Sequence, residues 1–246
     1  MQRFGDKASA ALAIHGAGGG GWEWALWQRV WRVHASTVQA PDLMPAHGGL
    51  AQTRLAHYLA QMRNAAIALQ RPVLVGASLG GLIALAIAAD VEASALVLVD
   101  PLPPRGIVPR PAVRALPQDI VPWGSRRRFS STQRALPDAD EATRLYAFRR
   151  WRDESAAVLR EAAAGIEVAV PRCPVLVIAC DGDEVVPTAA SRELSYQLGA
   201  EFWRCGSSHV GPLLGRGAAA IAARALAWIH AETHYATPSQ VPLETE

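Results

Sequence analysis

Short apolar runs alternate along this chain with stretches whose apolar residues fall at helical spacing. The runs lie near residues 10–15, 36–40, 72–76, 95–99, 174–179 and 201–204. Val73-Leu74-Val75 and Ala95-Leu96-Val97-Leu98-Val99 show no polar alternation, the pattern of strands buried on both faces of a parallel sheet. Between them, Leu50 to Leu69 predicts the longest helix and Gly217 to Ala231 an alanine-rich closing helix. Trp24, Trp27 and Trp31 recur three and four residues apart and predict a core-facing stripe on the first helix. The sum is an α/β architecture of about six mainly parallel strands with helices on both faces.

The rhythm breaks after Asp100. Seven prolines between Pro101 and Pro122 interrupt any long element, and two helical stretches follow near Asp138–Arg152 and Glu154–Ala164. Residues 1–100 and 171–232 therefore read as one core, with 101–170 inserted into it. The segment 233–246 mixes Pro, Ser, Thr and Glu and reads as a disordered tail.

Candidate chemistry sits where strands end. Gly76-Ala77-Ser78-Leu79-Gly80 lies between an apolar strand and a helix-forming run, the setting of a nucleophile elbow, which lifts a serine hydroxyl above the sheet edge. Such a serine needs a base and an acid that orients the base. The strand at 174–179 opens into Cys180-Asp181-Gly182-Asp183-Glu184, and the one at 201–204 opens into Gly206-Ser207-Ser208-His209. Ser78, His209 and Asp183 are the candidate triad. Asp181, Glu184 and Asp100 compete for the acid, whereas His15 reads as an anchor of its own loop. Gly16-x-Gly18-x-x-Gly21, with Asp42 ending the next strand, also matches a dinucleotide fingerprint. That reading accounts for neither Ser78 nor His209.

With these motifs in the order Ser78, Asp183, His209, the chain resembles the α/β-hydrolase superfamily over nearly its whole length. His15-Gly16-Ala17 resembles the family's oxyanion loop, which implies that the backbone amides of Ala17 and Leu79 form the oxyanion hole. The resemblance also implies an α/β-hydrolase fold with residues 101–170 as a helical cap. Trp22, Trp123 and Trp151 are then candidate pocket walls, with Phe129, Tyr146 and Phe148 beside them. The implied activity is cofactor-independent hydrolysis of a small carboxylic ester or related acyl compound. Carbon–carbon hydrolases, cofactor-free oxygenases and non-catalytic small-molecule receptors on the same scaffold are the alternatives. Val210 stands where plant hydroxynitrile lyases carry a lysine, which disfavours that reaction.

Composition narrows the picture further. The chain has 246 residues, half of them apolar, and a formal charge of +2, so nothing points to nucleic acid. Arg126-Arg127-Arg128 reads as a solvated surface run. Cys173, Cys180 and Cys205 have no metal-ligand spacing and read as free thiols, so no metal is expected. No stretch is apolar enough to span a bilayer, and the segment before His15 lacks the core of a signal peptide. A cytoplasmic protein acting on a small molecule is the expectation; the oligomeric state is left open.

Overall fold

The computed structural model describes residues 10–111 and 116–235. Six strands form one parallel sheet: β1 (Ala10–Ile14), β2 (Thr37–Gln39), β3 (Val73–Ala77), β4 (Ala95–Val99), β7 (Val175–Gly182) and β8 (Glu201–Ser208), in the order β2-β1-β3-β4-β7-β8. A separate antiparallel pair joins β5 (Ile120–Val121) to β6 (Glu154–Ser155). The helices are α1 (Ala25–Val33), α2 (Leu55–Ile67), α3 (Leu79–Ala88), α4 (Phe129–Ala135), α5 (Glu141–Phe148), α6 (Ala156–Ala164), α7 (Thr188–Leu198), α8 (Gly211–Leu214) and α9 (Ala218–Tyr235).

Side chains alternate across the sheet with period two, which yields two cores. Leu12, Ile14, Leu74, Leu96, Leu98 and Val177 face α2, α3, α6 and α7. Ala11, Ala13, Val75, Val97 and Ile178 face α1 and α9. On this second side the small β1 alanines share a cluster with Trp24, Trp27 and Trp31, each no more than 1% exposed. Trp27 Nε1 donates to Pro212 O at 2.9 Å, and Trp31 Nε1 donates to Ala222 O at 2.9 Å. Trp27 and Trp31 are thereby polar-satisfied as well as buried, whereas Trp24 Nε1 has no partner among the described residues.

Several boundaries differ from the sequence expectation. The helix expected over Leu50–Leu69 is a 3₁₀ turn (Leu50–Gln52) followed by α2. Buried Thr53 separates them: its hydroxyl donates to Gly49 O and accepts from Ala46 N–H, while Arg54 is extended. Strands β7 and β8 run past their expected ends to Gly182 and Ser208. Within the excursion, α5 covers only the middle of Asp138–Arg152, because Asp140 caps it, accepting from Thr143 N–H at 2.7 Å. Helix α4 is additional; its Phe-Ser-Ser-Thr sequence has weak helix propensity. Helix α6 places Val158 and Ala162 in the main core. Helix α9 takes in Thr233 to Tyr235, the first residues of the expected tail. Its remainder, and the segment Met1–Lys7 read for a signal peptide, lie outside the described residues.

Candidate active site

Strand β3 leads directly into α3, and the residue between them, Ser78, has φ 54°. A non-glycine residue in that region is strained and persists only where surroundings over-determine it. Here they do. Ser78 N–H donates to Val99 O at 3.0 Å, and its carbonyl accepts from Gly81 N–H and Leu102 N–H, both at 3.0 Å. The turn also requires Gly80, where a Cβ would lie 2.1 Å from Ile14 O and 2.5 Å from His15 O. The Leu79 amide opens α3, where the first N–H groups have no partner within the helix.

His209 follows β8, and Asp183 follows β7. The His209 Nδ1–H donates to Asp183 Oδ2 at 2.7 Å, with the two side chains 17% and 0% exposed. Asp183 Oδ1 accepts from Val185 N–H at 2.6 Å and Val186 N–H at 3.0 Å, which fixes the carboxylate. Burial disfavours the His209 cation, but the Asp183 hydrogen bond and charge, then Asp100 and Glu23, outweigh it and raise the pKa above 6.5.

The other acids have different places. Asp181 binds Arg204 through its Oδ1, at 2.8 and 2.6 Å from Nε and Nη2, and Glu184 is exposed. Asp100 is 1% exposed with φ 42°, and its Oδ1 accepts from Cys180 N–H at 2.8 Å. Its Oδ2 has no partner among the described residues. Burial, with the nearby Asp183 charge, pushes Asp100 up to about 7. Asp100, Asp183 and His209 each place a ligand-type atom within 4.8 Å of the others. The geometry of that cluster is a hydrogen-bonded acid–imidazole pair with a second carboxyl beside it.

The loop after β1 is held from several sides. His15 Nδ1–H donates to Gly16 O at 2.7 Å, and its Nε2 accepts from Leu43 N–H at 2.8 Å. Burial lowers its pKa to about 4 and keeps the ring neutral, as this pairing requires. Asp42 accepts from Gly21 N–H at 2.8 Å and pairs with Arg152 at 2.9 Å. At Gly21 a Cβ would lie 1.8 Å from Ala40 O. Gly21 thus packs the loop against the β2 exit, Gly16 and Gly18 face Ser78 and Trp123, and Asp42 is already engaged.

Two carboxylates from the excursion, invisible as site residues in the sequence, brace these loops. Asp138 accepts from Ser207 Oγ at 2.5 Å, Ser208 N–H at 3.0 Å and Ser208 Oγ at 2.7 Å, just before His209. Glu154 accepts from Gly18 N–H at 3.1 Å and Tyr58 OH at 2.9 Å.

Ser78 and His209 open onto one cavity of about 550 Å³, which Gly16, Ala17, Trp123 and Trp151 also line. Trp22 is not on its wall; it packs edge-on against Trp151 and Tyr146, with centroids 5.2 and 5.7 Å away. Phe129 and Phe148 likewise pack on each other at 5.5 Å. A further lining residue escaped sequence reasoning. Glu23 is 3% exposed, its carboxyl lies under Gly19, and its Oε2 has no hydrogen-bond partner among the described residues. Burial pushes its pKa up to about 8 against opposing backbone hydrogen bonds from Gly20 and Gly16. Its signal, an acid between two tryptophans, carries no motif.

The three cysteines are free; Cys180 and Cys205, opposite each other in β7 and β8, have sulfurs 2.8 Å apart. No described helix is long and apolar enough to cross a membrane.

Comparison with known proteins agrees with this fold. The profile of the alpha/beta hydrolase family matches residues 11–224. A comparison with curated protein sequences found no match. Among solved structures, the methylesterase MES16 from Arabidopsis superposes with TM-score 0.70 at 13% identity, covering 90% of this chain and 100% of its own. A pyrethroid hydrolase from Sphingobium faniae JZ-2 gives TM-score 0.70 at 19% identity, covering 93% and 100%. The thioesterase domain from the curacin biosynthetic pathway gives 0.64 at 18%, covering 89% and 91%.

Proposed function

The chain belongs to the alpha/beta hydrolase family, and we propose that it is a cofactor-independent serine hydrolase of small carboxylic esters or related acyl compounds. One observation carries the reading: strained Ser78 shares a cavity with His209, whose Nδ1 is already bonded to buried Asp183. Ser78 Oγ attacks the acyl carbon while His209 Nε2 takes its proton. Asp183 holds the tautomer that leaves Nε2 free and stabilises the imidazolium, without becoming protonated itself.

The backbone amides of Ala17 and Leu79 hold the oxyanion, each donor contributing roughly a hundred- to a thousand-fold. The leaving group takes the proton from His209, and water activated by the same imidazole then releases the acid. Residues 101–170 act as the cap: Trp123 and Trp151 from this segment close the cavity. The methylesterase, pyrethroid hydrolase and thioesterase neighbours support an acyl substrate class.

The test is labelling of wild type and Ser78→Ala with a fluorophosphonate, beside a p-nitrophenyl ester series of increasing acyl length. Labelling and turnover should both vanish in the variant, on the order of a million-fold in kcat by the subtilisin precedent. Folded wild-type protein that neither labels nor turns over would overturn the assignment.

A further inference from the structure

The cavity wall contributed by the excursion is unusually cationic for an otherwise apolar site. Arg127, Arg128 and Arg134 all line it, together with the hydroxyls of Ser131 and Thr132. Among the described residues none of the three forms an ion pair with a carboxylate. Arg127 Nη1 donates to Gly124 O at 2.7 Å, its guanidinium lies 5.6 Å from the Phe148 ring centroid, and the Asp153 charge lies near it. Among the described residues Arg134 has only a 3.4 Å contact to Ser131 Oγ, and Arg128 makes no side-chain hydrogen bond.

Among the described residues that line the cavity, no ionised carboxylate faces them from the core side. The carboxyl on the cavity wall is Glu23, which burial keeps largely protonated below about 8. Asp183 is matched by His209. A neutral acyl substrate would leave these three exposed, cavity-lining arginines unused, whereas an anion beside them gains from their charge, most at low ionic strength.

We propose that Arg128 and Arg134, assisted by Arg127, form a subsite for an anionic oxygen group, carboxylate or phosphate, carried by the substrate away from its scissile carbonyl. The inference rests on reading the Ser78 cavity as the acyl site. The anion sits either on the acyl chain or on the leaving group. Two matched pairs distinguish these sources: methyl hexanoate against monomethyl adipate, and hexanoyl pantetheine against hexanoyl phosphopantetheine thioester.

The charged member of one pair should have at least tenfold higher kcat/KM at low salt, with the preference shrinking as ionic strength rises. The double variant Arg128→Gln/Arg134→Gln should collapse that ratio to near one. Both positions are exposed, and an unchanged Tm controls for folding. Equal rates within both pairs, or a ratio the double variant does not move, overturns the subsite while the hydrolase reading stands.

A second measurement does not depend on hydrolysis. Adipate and phosphopantetheine are titrated calorimetrically into Ser78→Ala, with and without the arginine changes. Binding of either ligand that weakens at least tenfold on losing the arginines supports the subsite even if Ser78 is no nucleophile. No binding of either at millimolar concentration overturns it.

Discussion

Glu23→Gln should make the protein progressively more stable than wild type as pH rises from 5 to 8. The side chain is 3% exposed, and burial raises its pKa from the ordinary 4.5 to about 8. Because the folded value lies above the unfolded one, the unfolded chain binds fewer protons throughout that window. Stability is therefore full below about 4.5 and is lost as pH climbs toward 8. At about 1.36 kcal/mol per pH unit, the loss reaches at most about 5 kcal/mol. Glutamine keeps the shape and cannot ionise, so it has no such slope.

Urea unfolding of both proteins at half-unit steps from pH 4.5 to 9.5 reads the difference, with m held equal. The curves should diverge up to pH 8 and run parallel above it. A constant difference across the whole range would mean that Glu23 is already ionised in the fold, and would refute the argument from burial. Fluorophosphonate labelling gives a second readout. In wild type it should fall above pH 8, as a carboxylate forms on the wall of the cavity where the oxyanion develops. Glu23→Gln should lack that alkaline limb.

Other outcomes follow from the same geometry. Asp183→Asn removes the acceptor that fixes the His209 tautomer and should lower kcat about ten-thousand-fold, by analogy with the serine-protease triad; a loss under tenfold would transfer the role to Asp100. In wild type the labelling rate should rise through a pKa above 6.5, since only neutral imidazole takes the proton and Asp183 holds the cation. A rising limb centred below 6.5 contradicts that electrostatic balance. Gly80→Ala drives a Cβ to 2.1 Å from Ile14 O, a backbone atom that cannot swing aside. It should cost about 1–3 kcal/mol or more in urea unfolding and abolish labelling by displacing the elbow.

By itself the sequence determined whatever rests on neighbours along the chain. Six strand runs, the elbow between β3 and α3, and the tryptophan stripe of α1 are local patterns, because strand and helix periodicities place side chains within a few residues of one another. Each stands in the structure. The tertiary structure alone decided between carboxyls that the chain lists almost side by side. Asp183 rather than Asp181 bonds His209 because β7 and β8 run parallel to Gly182 and Ser208, with one extra residue in β8 after Cys205 shifting the register just before the site. Asp100 comes close from β4 but spends Oδ1 on Cys180 N–H.

Braces formed across long separations were equally out of reach: Asp138 on Ser207 and Ser208, and Glu154 on Gly18. So was the placement of Trp22 behind Trp151 and of Glu23 on the cavity wall. These depend on burial and on contacts between distant segments, and burial is a property of the packed chain that no window of sequence contains.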